Sequence, residues 1–485
     1  MCLSGEIYYV SQLDVNCNDS GPGNSTVPWC NLTKPCSSGS PIPYRWVPEG
    51  SVVIVREGDY GDYSESTISN CINNISLVQR NKWTLYKAAP GEKVVFNDLY
   101  LGTNWGYDDQ GRHYQIWDGF EITGGINIIS TDYITVRNCN VTNNNVMPYE
   151  GLYAPYFYAN YNVIAVTSST HITLENNDIW RNHRGIDMGG GGYNIIRNNS
   201  VHHVGEDLIN PNSDNTIVEN NILYDINKRR TPLWVFEGDM IGAFEVNETI
   251  MQENTGAEGL VISVISPTRL NVIQTNDRDF DDEENVTGLS SGALLYNVYV
   301  DYAHTDSIQI HSESRNLVVK GNRILRPEGG QGLKMVGPGN VTVVNNFIYT
   351  TVPLYWSGTE RGITFINNTL VLPPGLPSSS GAPAVGYEAL ESNIMNNMSN
   401  NIIYRWAMAT DRNDLGNYTV YTRIIDHSSN IFGNDPDDTG GPTYPFYIDY
   451  DSEIVNYNID SLFVDPANMD YRVIMSSPCM RWHIK

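Results

Sequence analysis

The pair Asn-Asn recurs at a fixed step. It appears in Leu174-Glu175-Asn176-Asn177-Asp178-Ile179, in Ile196-Arg197-Asn198-Asn199-Ser200-Val201 and in Val218-Glu219-Asn220-Asn221-Ile222-Leu223. The first Asn falls at 176, 198 and 220, a step of 22 residues. A fixed step in the low twenties marks a solenoid, in which each repeat is one coil stacked on the last. Within the step, apolar and polar residues alternate over short runs such as Ile172-Thr173-Leu174, and β-branched types dominate. This is the pattern of short strands separated by turns, and there is no apolar stripe at helical spacing. Asn suits the turns because it tolerates the left-handed backbone region and bonds backbone groups. A second apolar-x-apolar run precedes each pair by twelve residues, at Ile164-Ala165-Val166, Ile186-Asp187-Met188 and Leu208-Ile209-Asn210. It predicts a second strand in each coil. The step resumes at Gly321-Asn322 and continues through Asn345-Asn346, Asn367-Asn368 and Asn400-Asn401.

The expected fold is therefore all-β, a single-stranded right-handed parallel β-helix of about 22-residue coils with capped ends. Residues 1–50 read as an opening strand and a disulfide-rich cap, and residues 51–412 as the helix. Insertions are expected near 143–161, 228–290 and 372–392, and residues 413–485 read as a second cap. Caps are needed because an end coil otherwise exposes its core and its strand edges.

The formal charge of −26 and a Lys+Arg count of 29 leave no basic face for nucleic acid. No transmembrane run or signal peptide is visible, and the numbering is expected to start after processing. Seven cysteines, four of them between Cys17 and Cys71, favour an oxidising, extracellular or cell-surface setting. An odd count leaves one over, and Cys139, in the Asn column at Asn138-Cys139, is the expected one. Sequons at Asn24, Asn31, Asn74, Asn140, Asn198, Asn247, Asn285, Asn340, Asn367, Asn397 and Asn417 point the same way.

Several landmarks resemble those of secreted right-handed parallel β-helix proteins, the pectate-lyase-like superfamily. They are Tyr8-Tyr9-Val10-Ser11 leading to Asn18-Asp19 and Gly23, then Ala88-Ala89-Pro90-Gly91-Glu92 and Asp118-Gly119-Phe120. Leu462-Phe463-Val464-Asp465-Pro466 through Asp470-Tyr471-Arg472 completes the set. The stretch His304-Thr305-Asp306-Ser307-Ile308-Gln309 resembles an H-x-D-x-I-Q pattern of carbohydrate-related β-helices. The resemblance implies a polysaccharide partner, with lyase- or epimerase-type action on a uronate-containing glycan. It also admits a structural subunit that self-associates into a surface layer or filament, and an adhesin or glycan binder.

Alternation sorts outward from inward residues. It places Asp187, Gln309, His311, Lys334 and Trp356 outward, in a column along the solenoid. A lyase needs a cation at the developing enolate and a base for the C5 proton. Arg184 suits the first role, His203 or Lys334 the second, with Asp187 beside them. A hydrolase would pair Asp187 with Glu206 or Asp207. Gln309, His311 and Trp356, with Tyr153 and Tyr156 of the aromatic insertion, are the expected substrate contacts. The acidic run holding Asp279, Asp281 and Asp282 offers the oxygen ligands calcium takes, without an EF-hand spacing.

Overall fold

The computed structural model describes residues 5–32, 47, 49–64, 82–102, 114–142, 162–182, 184–204, 207–224, 233–275, 280, 284–302, 306–311, 314–357 and 361–371. It also describes shorter stretches at 385–388, 394–399, 401–404, 408–409, 423–428, 431–433, 453–455, 463–465 and 470–473.

The strands stack in parallel columns around an axis, as the repeat requires. One column is a 13-stranded sheet running from Ile7–Val10 to Arg423–Ser428. A second column carries Asp178–Asn182, Ser200–Val204 and Ile222–Tyr224. A third carries Asn162–Thr167, Arg184–Gly192, Ile209–Asp214 and Asp306–His311. Their inward residues form stacks along the axis. Leu174, Ile196 and Val218 line one wall, Ile179, Val201 and Leu223 the next, and Ile164, Ile186, Ile209 and Ile308 the third, all fully buried.

The two members of each Asn pair have different tasks. Asn138, Asn176, Asn198, Asn220, Asn345 and Asn367 turn the corner at φ between 54° and 57°. The second Asn points inward and builds a ladder. Asn177 Nδ2 donates to Asn199 Oδ1, Asn199 to Asn221, and Asn221 to Asn322, each at 3.0–3.1 Å. Each of these oxygens also accepts the backbone N–H one coil below. The ladder continues through Asn346 and Asn368 to Asn401.

Cys139 stands at the foot of this ladder. Its backbone N–H donates to Asn177 Oδ1 at 3.0 Å, and its thiol, free and buried, lies against the Arg137 carbonyl oxygen at 3.2 Å. Burial pushes the thiol pKa up to about 12. Peptide mapping should therefore find Cys139 unlabelled by an alkylating agent at about pH 8 in native protein, and labelled once it is unfolded.

Outside the ladder, the residue before each corner alternates in sign along the coils: Asp118, Arg137, Glu175, Arg197, Glu219, Lys320. Arg137 bridges Asp118 at 2.9 Å and Glu175 at 3.8 Å, Arg197 Nε reaches Glu175 at 2.8 Å, and Lys320 reaches Glu219 at 2.8 Å.

At the start of the chain, Gly23 and Trp29 hydrogen-bond to the free edge of Ile7–Val10, and Cys17 is bonded to Cys30. An unpaired strand edge is thereby covered. At the other end Arg423–Ser428 pairs in parallel with Ile394–Ser399, so the coils run past residue 412.

The interruption expected near 228–290 is itself folded. Six antiparallel strands, from Leu233–Ile241 to Leu294–Tyr302, close into a small barrel. It has its own core of Phe236, Ile250, Val261, Leu270, Val272 and Leu295. The helix passes through without a break in register: Val218 pairs with Val319 and Leu223 with Ile324.

Candidate functional site

The register across the inserted barrel decides the site. Ile209 pairs with Ile308, so the coil that holds Asp207 lies directly against the coil that holds Asp306. Two polar clusters separated by about a hundred residues in sequence become one. Arg184, Asp207, Asp306 and Gln331 line up on the outer side of the third column, followed three positions on by Asp187, Asn210, Gln309 and Lys334.

The contacts follow from that alignment. Arg184 Nη1 is 3.6 Å from Asp187 Oδ2, and its Nε is 3.8 Å from Asp207 Oδ2. Asp207 also accepts from Asn210 Nδ2 at 3.1 Å and from the Asp306 backbone N–H at 3.2 Å. Lys334 Nζ is 3.4 Å from Asp306 Oδ2. The side chains of Asp306 and Asp207 are 0 % and 1 % exposed, and that of Lys334 only 11 %. Carboxylates this deeply buried need a cation, and each has one. Lys334 and Arg184 are accordingly held in place rather than waving in solvent.

His311 ends the same strand as Asp306 and Gln309, its backbone N–H donating to Asn212 Oδ1 at 3.0 Å. Its imidazole pKa is lowered, first by burial, then by the charges of Lys334 and Arg184, against the opposing pull of Asp306 and Asp187. A half-buried neutral imidazole therefore faces two cations and two carboxylates.

The sequence-derived candidates divide as follows. Arg184, Asp187, Gln309, His311 and Lys334 come together on this face. His203 lies in the neighbouring column, at the end of Ser200–Val204, with φ at 51° and its ring edge-on to His202. His202 in turn stacks between Trp180 and Tyr224 and contacts Asp178 Oδ1 at 3.0 Å. Backbone pairing sets Lys334 against Tyr355 and Met335 against Trp356. Asn210 also moves. Ile186 pairs with Ile209 rather than Leu208, so Asn210 shares the outward column of Asp187 instead of pointing inward. An extra residue between Arg184 and Ile209 causes that slip. Asp207 and Asp306 complete the site. Their signal in the sequence is the Asn221-to-Asn322 continuity, which removes the inserted barrel from the count.

Tyr153, Tyr156, Glu206, His304, Asp279, Asp281 and Asp282 lie outside the described residues, as do Asn74 and Asn417. Of the sequons, Asn24, Asn140, Asn198, Asn247, Asn285 and Asn340 are exposed. No metal-binding group of three or more acidic, His or Cys side chains occurs among the described residues. Among the same residues no helix is long and apolar enough to cross a membrane.

Residues 115–255 match the family model for a right-handed β-helix region. No curated protein matches the chain. Solved structures with distant similarity include "The complex structure of XylC with xylose", at 13 % identity and a TM-score of 0.41, covering 92 % of this chain and 85 % of that one. Pectate lyase Pel9A is similar at 13 % identity and a TM-score of 0.36, over 88 % of this chain and 82 % of that one. The GH136 lacto-N-biosidase from Eubacterium ramulus is similar at 10 % identity and a TM-score of 0.40, over 90 % of this chain and 65 % of that one.

Proposed function

We propose that this chain acts on a uronate-containing polysaccharide by β-elimination, outside the cell, with its site on the face carrying Arg184, Asp187, His311 and Lys334. One observation carries the reading: two immobilised cations and a neutral imidazole share one outward face of the third column. Elimination needs that set. The C5 proton must go to a base, and the charge that develops beside C5 must meet a cation.

His311 is the base, because its lowered pKa keeps it unprotonated near neutral pH. Arg184 meets the enolate oxygen. Lys334, an ammonium beside Asp306, gives a proton to the departing O4. The C5–H electron pair forms the C4–C5 double bond as the C4–O4 bond breaks. His311 gains one proton and Lys334 loses one, and exchange with solvent restores both. Gln309 and Asn210 lie in the same column but are buried, Asn210 with its amide donated to Asp207. His203 stands apart from this face, in the neighbouring column with its ring edge-on to His202. The Cys17–Cys30 disulfide supports the extracellular setting.

The test is incubation with a panel of uronans and measurement of the near-ultraviolet absorbance of unsaturated product. Product is expected, and it should vanish in His311→Ala. Altered C5 configuration without chain cleavage would move the reading to an epimerase. Binding without any turnover would end the catalytic reading and leave a glycan-binding protein.

A further inference from the structure

We infer that the exposed ring of Tyr193 is a sugar-stacking subsite for the same polysaccharide, reached from His311 over a bare glycine floor, an extension that rests on the elimination reading above. Tyr114, Tyr133, His171 and Tyr193 turn successive coils at φ between 52° and 62°. Their rings stack face to face at centroid distances of 4.5, 4.5 and 5.3 Å, within 17° of parallel. Trp83 braces the first of them edge-on at 5.5 Å. The same corner is then held by Asn215, Asn316 and Asn340 at φ between 53° and 57°, joined amide to amide. Tyr193 is therefore the last ring. His171 lies against one face, no other ring among the described residues lies against the second, and the residue is 60 % exposed. An aromatic face left open in this way suits the apolar side of a sugar ring. The stack beneath already fixes the ring, so little further freedom is lost on binding.

The floor joins this ring to the candidate site. Gly189, Gly190 and Gly191 are exposed near the end of Arg184–Gly192. Gly190 and Gly191 have φ of 71° and 73°, and a Cβ on Gly191 would strike the Ser169 carbonyl oxygen. Backbone geometry accounts for these two. Gly189 has no such reason, since a Cβ there would meet nothing within 4 Å. Two residues after Asp187, it faces the same outer surface. Gly189 pairs with Asn212, whose Oδ1 accepts the His311 backbone N–H, so the three share one row across the coils. Gly189 thus lies two strand spacings, roughly 10 Å, from the base. Tyr193 is four residues further along the chain, at the corner. A polymer that presents its C5 proton to His311 can cross Asn212 and the floor and set a sugar a few residues away on the Tyr193 ring.

Tyr193→Asn tests the subsite and spares the corner, because asparagine holds the same φ in the next three coils. On homogalacturonan or alginate, whichever is cleaved, KM should rise about three- to tenfold, the effect of losing one aromatic stacking contact. The rise should shrink as oligomers become too short to span from His311 to the corner. Gly189→Gln fills the floor where a Cβ meets open space, and it should raise KM on the polymer as well. An unchanged KM in either variant, or the same loss at every chain length, would overturn the subsite and leave elimination standing. If wild type cleaves neither polymer, elimination falls, and electrophoresis through gels containing each polymer reads the subsite alone. Retardation of wild type that weakens in Tyr193→Asn supports it. Equal mobility of the two proteins overturns it.

Discussion

Arg184→Ala is expected to lower kcat/KM on the accepted uronan by about 10²–10³-fold, the usual effect of removing one group aimed at a developing oxyanion. The loss should fall on kcat, because a charge that exists only in the transition state does not contribute to ground-state binding. The same change leaves Asp207 buried without its cation, so stability must be followed alongside. Arg184→Lys separates the two effects: it keeps a positive charge near Asp207 and loses the guanidinium geometry. A folded Arg184→Lys protein with a large kcat deficit is the expected result. Full activity in that variant would remove Arg184 from the chemistry. The acid limb of the wild-type rate profile should lie below the ordinary histidine range, since activity requires neutral His311 and its pKa is lowered. For stability the sign is the same. The unfolded imidazole binds a proton more readily than the folded one, so the contribution of this residue is full above its unfolded pKa. It is lost as pH falls through the lowered folded value.

Asn221→Ala should destabilise the fold by about 3 kcal/mol. Asn221 Oδ1 accepts from the backbone and side-chain nitrogens of Asn199, at 2.9 and 3.1 Å. Its Nδ2 donates to the Ile196 carbonyl oxygen and to Asn322 Oδ1, both at 3.0 Å. Alanine would strand these groups in a dry interior, each costing about 1–3 kcal/mol before relaxation. The neighbouring Asn220→Ala removes no ladder contact and asks alanine only to hold a φ of 56°. That costs about 1 kcal/mol. Denaturant unfolding of the pair, compared at constant m, reads the difference directly. Equal losses would mean that the ladder contributes little beyond its corner.

This contrast also shows how far the sequence could be read. The 22-residue step and its strand periodicity were plain, because each coil repeats the same wall and corner. The division of labour within Asn-Asn was not plain, because both residues are common at turns and only the coil above and below distinguishes them. Cys139 could be singled out as the leftover thiol from its place in the column. The site was half legible. Asp187, His311 and Lys334 follow from alternation within single coils, and Arg184 from the chemistry of its guanidinium. The junction of Asp207 with Asp306 depends on which coils touch after the inserted barrel is set aside. The Leu208-for-Ile209 slip has the same origin: one extra residue at a corner reverses inside and outside along a strand. The barrel itself was hidden because antiparallel strands of irregular length carry no fixed step.

The alternating column Asp118, Arg137, Glu175, Arg197, Glu219, Lys320 has a consequence for how such a chain can change length. Loss of the single coil carrying Arg197 would set Glu175 against Glu219, like charges on adjacent rungs. Loss of that coil and the next would set Glu175 against Lys320 and restore attraction. The backbone repeat permits growth or shrinkage by any whole number of coils, whereas the charges permit it by even numbers. In this stretch the heritable unit of the solenoid is the pair of coils, and parity is a constraint that the backbone alone does not impose.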